Sequence, residues 1–397
     1  MNLPYPKSFP TVKETRFLKL VLCNDKDFKS LWNTWKSTYD FDHTDDALLH
    51  LFPLVAIRME KLEMQNDELF AKIQGIYKMA WVKNQRLLAV TKDVVTRCND
   101  LKIPTLFLKG IPLILDIYKD KGARLLGDAD FLIQPEQGNR ISAMLFQNGW
   151  HHRKPWMLDS KNPTESIFRV VKATSFRNNF GVDMDVHWNL FSLTHHTYLK
   201  DIFFLKEVSS IGFRNAIWRD AIPTTIDGAP CLRLCNEDLL IHVVIHGSEG
   251  NNHRTLRWVT DAVTIIKSSN IDWDKIIQRA KDFNFIIELS IAFRYLSENF
   301  PGPIPSSFIT ALQAYPITKR DIKNYYTFTN ITHTDRYTPL GNFPLLWYGY
   351  WKYETNRSVI GFFSYIKKSF GVTTTKDFFA FVLNKYIARI KKLFPSR

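Results

Sequence analysis

Apolar side chains recur at Leu69, Ile73, Ile76, Met79, Val82, Leu87, Val90, Val94 and Val95, a spacing that lines one face of a helix. Asn66-Asp67-Glu68 precedes them and supplies acceptors and negative charge for a first turn. Thr44-Asp45-Asp46 reads as another start, with Thr44 as the cap, so residues 12 to 100 are expected to be largely helical. The pattern changes at Pro104. Thr105-Leu106-Phe107-Leu108 reads as a short buried strand, Lys109-Gly110 as a sharp turn, and Ile111 to Tyr118 as a short helix. Pro112 is tolerated in that first turn, where its absent N–H has no helical partner anyway. Ala129 to Ile133 reads as a second strand, and Pro135 to Gln147 as a helix stopped by Asn148-Gly149. Ser166 to Arg177 and Phe180 to Trp188 read as strands joined at Asn178-Asn179. From Asn236 the helical period returns, in Leu239, Leu240, Val243 and Val244 and then in Trp258, Val259, Ala262, Ile265 and Ile266. It continues from Trp273 to Phe300, breaks at Pro301-Gly302-Pro303, and ends in a helix from about Asp377 to Leu393.

These elements predict an α+β fold: a small mixed sheet flanked by N-terminal and C-terminal helical regions. The expected divisions are 1–100, 101–190, 191–300 and 301–397. A chain of 397 residues with 45% hydrophobic and 23% charged positions is long enough for two or three domains, each with its own core. No uninterrupted run of 18 apolar residues occurs, and the first residues lack a charged-then-apolar leader pattern, so a cytoplasmic location is expected. The four cysteines, Cys23, Cys98, Cys231 and Cys235, are too scattered for a disulfide framework. The Cys231/Cys235 spacing has no second pair to complete a zinc site, so buried or free thiols are expected.

Charge adds one feature. The formal net charge is +14, and Trp351 to Arg397 hold ten Lys/Arg against two acids. Such a tail suits an anionic partner or a solvated helix face. Lys385, Arg389, Lys391 and Lys392 beside Phe378, Phe381, Val382, Ile387 and Ile390 make the C-terminal helix a candidate for peripheral contact with an anionic membrane, or for packing on the core. No RNP-like aromatic-basic pattern accompanies it, so nucleic acid is not the favoured partner.

The chemistry concentrates in Leu126-Gly127-Asp128-Ala129-Asp130-Phe131-Leu132-Ile133. Side chains at i and i+2 of a strand point the same way, so Asp128 and Asp130 are expected to project together. Carboxylates held that close need a cation between them, and the pair suits Mg²⁺ with phosphates and water. In Gly181-Val182-Asp183-Met184-Asp185-Val186-His187-Trp188, the alternation puts Val182, Met184 and Val186 on one side and Asp183, Asp185 and His187 on the other. If this strand lies beside the first, Asp185 becomes a third metal-binding carboxylate able to help deprotonate an attacking hydroxyl. His187 would stand next to it as an acid/base or orienting group. Lys109-Gly110 ends a strand and opens a helix, where backbone N–H groups attract anions. Lys109 would add a point charge, and Arg124 a fork for phosphate oxygens.

Leu108-Lys109-Gly110, Tyr118, Arg124, Gly127-Asp128-Ala129-Asp130 and Asp185-Val186-His187-Trp188 resemble an uncharacterised bacterial nucleotidyltransferase family of the DNA polymerase beta-type superfamily. Asp238 to His242, His246-Gly247, Leu256-Arg257-Trp258 and Asp261 extend the likeness, which covers about residues 60 to 290. The resemblance implies a catalytic core at 101–190 and a helical domain at 191–300 closing the nucleotide cleft. It implies Mg²⁺- or Mn²⁺-dependent transfer of NMP from an NTP such as ATP to a hydroxyl-bearing acceptor (small molecule, sugar, peptide or protein), with release of pyrophosphate. Asp128, Asp130 and Asp185 would be the catalytic and metal-binding residues. Lys109, Gly110, Arg124, Gly127 and His187 would bind substrate phosphate. The wider superfamily carries Gly-Ser or Gly-Gly where this chain has Lys109-Gly110. That difference supports an alternative, a nucleotide-binding or scaffold protein without turnover.

Two further pairs have structural readings. His242 and His246 share a helix face but lack the intervening Glu of a zinc-protease motif, so His246 is expected to end its helix at Gly247. Arg257 and Asp261 stand one turn apart and are expected to form an intrahelical ion pair.

Overall fold

A computed structural model describes residues 3–153, 168, 172–190, 211–248, 255–302, 304–330 and 358–369, with 374–376, 378–380 and 383. The helices before the sheet are α1 (Val12–Leu22), α2 (Asp25–Thr38), α3 (Asp46–Leu49), α4 (Phe52–Lys61) and α5 (Phe70–Asp100). The strands are β1 (Leu106–Phe107), β2 (Ala129–Leu132), β3 (Trp150–His152), β4 (Ala173–Asn178), β5 (Asp183–His187), β6 (Ile222–Ile226) and β7 (Ala229–Arg233), with α6 (Gly138–Gln147) between β2 and β3. After β7 come α7 (Asn236–Ser248), α8 (Arg257–Ser268), α9 (Trp273–Asp282) and α10 (Ile286–Asn299). The strands form one sheet in the order β3-β4-β5-β2-β1-β7-β6. It is mixed, because β1 runs parallel to β7 while β6 runs antiparallel to it. A mixed sheet flanked by helical regions is the architecture the residue pattern implied.

The chain forms two compact units, and the division falls between Asp130 and Phe131, inside β2. The first unit comprises Met1–Thr96, Leu106–Asp130 and Asn215–Asn330. Its N-terminal helices enclose an aromatic cluster: Trp32 stacks on Trp35 with ring centroids 5.3 Å apart, and Phe17 and Phe52 pack against Trp35. Phe17, Trp32 and Phe52 are fully buried, and each such side chain contributes roughly 1.5–3 kcal/mol. α1 begins with a capping box between Thr11 and Glu14. Asp67 accepts bonds from the Leu69 N–H, from Trp32 Nε1 and from Lys36 Nζ, joining the start of α5 to α2. Thr44 does not cap α3; its hydroxyl donates to the Asp40 carbonyl at 3.1 Å, and Asp45 is the N-cap residue. A hydroxyl that can reach a preceding carbonyl competes with capping.

The expected helix after Gly110 is present, but Leu113–Ile117 is wound as a π-turn. The β6–β7 hairpin went unread in the sequence. It turns at Asp227-Gly228, both with positive φ (45° and 88°), as tight hairpin turns require. α7 runs on through Ser248 rather than stopping at Gly247. A Cβ on Gly247 would lie 2.1 Å from Trp258 Cβ, so this glycine serves close packing of α7 on α8.

The second unit comprises Arg97–Thr105, Phe131–Arg214 and Ile331–Arg397. β4 and β5 pair antiparallel, with Ser175 opposite Asp185 and Arg177 opposite Asp183. The Asn178 side chain accepts from the N–H groups of Phe180 and Val182 and so shapes the turn between them. The first of these strands begins at Ala173, later than the expected Ser166; Phe168 is helical. Phe168 packs on Trp188 at 4.4 Å and covers Gly138. Cys98, Cys231 and Cys235 are buried and Cys23 half-buried, all as free thiols, as the spacing implied. Among the described residues, no helix is long and apolar enough to cross a membrane. Most of the expected helix Asp377–Leu393, with its basic residues, lies outside the described residues.

Candidate functional site

Gly127-Asp128 lead directly into β2. Asp128 is half-buried and precedes the strand, while Asp130 lies within it and is only 4% exposed. The Leu108 N–H donates to the Asp130 carbonyl at 3.2 Å, and the Ile133 N–H donates to the His187 carbonyl at 2.9 Å. These bonds tie β2 to the segment after β1 on one side and to β5 on the other. In β5 the alternation holds: Val182, Met184 and Val186 are buried on the apolar side. Asp130, Asp185 and His187 each offer a ligand atom, and these atoms all lie within 4.8 Å of one another. The two carboxylates and one imidazole thus converge from neighbouring strands.

Asp183, the remaining polar residue of β5, is drawn away. Arg177 grips it with two bonds of 2.7 and 2.6 Å, and Arg153 adds a contact at 3.4 Å. The Arg177 bonds hold its carboxyl below the usual carboxylate range against the opposing effect of burial. Trp188 closes the strand, its Nε1 donating to Thr174 Oγ1 at 3.0 Å.

Lys109 Nζ sits 3.0 Å from Asp130 Oδ2 and 3.5 Å from His246 Nε2. Gly110 has φ 70°, and a Cβ there would lie 3.2 Å from Leu126 Cδ2 and 3.7 Å from the Arg124 guanidinium. Both the backbone conformation and the available space therefore favour glycine. Gly127 is exposed, with open space around its Cα.

Arg124 Nε donates to both oxygens of Asp261, at 3.1 and 3.0 Å. The Tyr118 hydroxyl donates to the same carboxylate at 2.9 Å. Burial opposes the charge on Arg124, but Asp261 outweighs it and the guanidinium is held above its usual value. Burial, reinforced by Asp261, raises the Tyr118 phenol well above its ordinary range. With Asp261 occupied, Arg257 bonds elsewhere, donating to the Leu125 carbonyl at 2.6 Å. This replaces the expected Arg257–Asp261 pair. Burial, and then the neighbouring Arg124, push the Arg257 guanidinium down to about 10, while Asp261 and Asp128 oppose the shift.

The loop entering β2 is held from α5. The Asn84 amide donates to the carbonyls of Lys121 (2.6 Å) and Arg124 (2.8 Å), and its oxygen accepts from the Leu126 N–H at 2.9 Å.

The fold therefore gathers Asp130, Asp185 and His187, with Lys109 on Asp130; Asp128 lies outside the ligand-capable group. His187 joins as a third ligand donor, beyond the acid/base or orienting role read from its place in the strand. Asn84, and the link between Arg124 and Asp261, had no signal in local spacing.

The model of a family described as "Uncharacterised nucleotidyltransferase" matches residues 48–301, more than half of the chain. Among solved structures, that of an antigenic nucleotidyltransferase-like protein from Paracoccidioides brasiliensis aligns over 60% of this chain and 96% of its own, at 15% identity and a TM-score of 0.34. No curated protein matches the sequence.

Proposed function

Since the chain belongs to this uncharacterised nucleotidyltransferase family, we propose that it transfers a nucleoside monophosphate from an NTP to a hydroxyl group and releases pyrophosphate. The observation that carries this reading is the convergence of Asp130, Asp185 and His187. Two carboxylates at such separation concentrate negative charge, and the Lys109 ammonium on Asp130 marks the place as one that takes a cation. The donor set fits a divalent ion. The carboxylates suit Mg²⁺, and the imidazole makes Mn²⁺ equally acceptable. When bound, such an ion would neutralise phosphate oxygens and lower the pKa of the acceptor hydroxyl.

The protein's own groups divide the remaining work. Asp185, half-exposed, takes the hydroxyl proton as the acceptor oxygen bonds to the α-phosphorus. The bond from that phosphorus to the bridging oxygen breaks, and pyrophosphate leaves with the electron pair. Asp130, Asp185 and His187 would hold the cation, with Asp128 as a further acid at the strand entrance. Lys109 balances charge on the departing phosphates. Gly110 and Gly127 allow the backbone to approach phosphate, and Arg124, beside Gly110, braces that turn. The acceptor class is a small molecule, sugar, peptide or protein hydroxyl, and the protein acts in the cytoplasm.

A second reading, nucleotide binding without turnover, rests on Lys109-Gly110, which lacks the turn hydroxyl of the wider superfamily. The two separate in an assay with α-labelled ATP, CTP, GTP and UTP, Mg²⁺ or Mn²⁺, and cell extract as acceptor source. Metal-dependent label in a product, lost in an Asp130→Asn/Asp185→Asn double variant, supports transfer. Metal-dependent NTP binding without product supports the second reading, and absence of both overturns the first.

A further inference from the structure

The π-turn Leu113–Ile117 is entered through Gly110, whose carbonyl accepts from the Ile114 N–H at 3.1 Å. It is closed by Tyr118, whose N–H donates to the Leu113 carbonyl at 2.7 Å. Such turns are frequent at functional sites. The Tyr118 hydroxyl reaches Asp261 of α8 at 2.9 Å, and Asp261 takes Arg124 through Nε alone, at 3.1 and 3.0 Å. A carboxylate and a guanidinium often pair through two nitrogens; here one nitrogen serves both oxygens. Nη1 and Nη2, the outer edge of the fork, have no hydrogen-bond partner among the described residues. The Arg124 side chain is only 11% exposed, so packing rather than solvent sets its direction. Nη1 faces Gly110, where a Cβ would lie 3.7 Å from it. Gly110, the π-turn, Tyr118, Asp261 and Arg124 thus close a circuit that returns to Gly110, all within the first compact unit. A largely buried guanidinium edge that meets no acceptor is costly unless water or a ligand takes it.

We propose that Asp261 and Tyr118 are positioning residues that hold Arg124 by Nε, so that its outer edge receives phosphate oxygens of the nucleotide at the Gly110 turn. The proposal rests on the nucleotidyl-transfer reading and adds to it the groups that aim the phosphate-binding fork. Arg124 touches phosphate, while Asp261 and Tyr118 act through it. The guanidinium is divided into an edge that serves the fold and an edge that serves the ligand. A lysine in its place could still answer the Asp261 charge, but a point charge has no second edge to offer.

The test uses the full chain and inorganic tripolyphosphate with Mg²⁺, a probe that carries the phosphates but no nucleoside to transfer. Calorimetry reads the affinity, and a thermal melt of each variant checks folding. Saturable binding is expected, at least tenfold weaker in Arg124→Lys and severalfold weaker in Tyr118→Phe. Tyr118→Phe should add nothing in the Arg124→Lys background, because the hydroxyl acts only through the guanidinium. A purely structural Tyr118 would lower the melting temperature and leave the affinity of the folded protein unchanged. Should Arg124→Lys not fold, Tyr118→Phe, which removes a single hydroxyl, carries the test alone. The proposal is overturned by absence of binding to the unaltered protein or by undiminished affinity in Tyr118→Phe. It is equally overturned if Tyr118→Phe costs as much in the Arg124→Lys background as in the unaltered protein. Transfer activity with undiminished tripolyphosphate affinity in the variants would remove these roles and leave the transfer reading intact. Variant-sensitive binding in a protein that never transfers nucleotide would do the reverse.

Discussion

Lys109 Nζ lies 3.0 Å from Asp130 Oδ2, so the ammonium of the glycine turn and the buried carboxylate of β2 neutralise each other. A divalent ion at the site must share that carboxylate with the lysine. Lys109→Gln is therefore expected to bind Mn²⁺ severalfold more tightly, because the competing cation has gone. Nucleotidyl transfer should fall by about 10²-fold, the usual effect of losing one charge-stabilising donor. Electron paramagnetic resonance titration of Mn²⁺, run beside the transfer assay, reads both. Weaker Mn²⁺ binding would instead make the lysine a support for the metal.

The acids should also separate by position. Asp130 belongs to the ligand-capable group and Asp128 does not. Asp130→Asn and His187→Gln are each expected to weaken Mn²⁺ binding by at least tenfold, and Asp128→Asn by less. Transfer should be abolished in Asp128→Asn and Asp130→Asn alike. Equal loss of metal affinity in both Asp variants would mean that Asp128 turns inward to ligate.

Asp261 is 3% exposed at its side chain, and it is the carboxylate that Arg124 and Tyr118 share. Asp261→Asn would leave Arg124 and Arg257 facing each other without it. The expected loss is about 3–5 kcal/mol, the range for breaking a buried pair from one side. Urea unfolding of the variant checks this, and a loss below about 1 kcal/mol would show that water or another anion takes over.

Acid should loosen the N-terminal helices through Asp67. Burial pushes its carboxyl up, but the bonds from Lys36, Trp32 and the Leu69 N–H outweigh that and hold it below its ordinary value. A depressed folded value means that the stabilisation is present above the unfolded value, near pH 4, and is lost as pH falls through the folded one. Asp67→Asn is expected to lower stability at neutral pH by about 1 kcal/mol, the scale of a lost cap. The variant should also show a flatter decline below pH 4. Melting temperatures of both proteins between pH 3 and pH 7 measure the difference, and parallel curves would contradict it.

What could be read in advance depended on the range of the interactions. Leu106-Phe107, the strand at Ala129 and the alternation of Val182 to His187 rest on neighbours along the chain, and each appears where its pattern places it. Period-two reasoning sent Asp128 and Asp130 to the same face, but the strand starts at Ala129, so only Asp130 is set by it. The β6–β7 hairpin was hidden by Pro223 and Pro230, which weaken a strand reading, although Asp227-Gly228 was a usable turn signal. The Arg257–Asp261 spacing suggested a pair, yet Arg124, 137 positions from Asp261 in sequence, holds that carboxylate. Helical spacing carries no information about a competitor that arrives from another element.

Asn84 gives the helical region before the sheet a different standing. One amide on α5 fixes three backbone groups of the segment leading to Gly127 and Asp128, and it is fully buried. The acidic loop is moulded on a template some forty residues upstream. A shortened protein that kept every acid but lost α5 would retain the reagents without the jig that holds them. Selection on catalysis would then reach into a helix that supplies none of the acids.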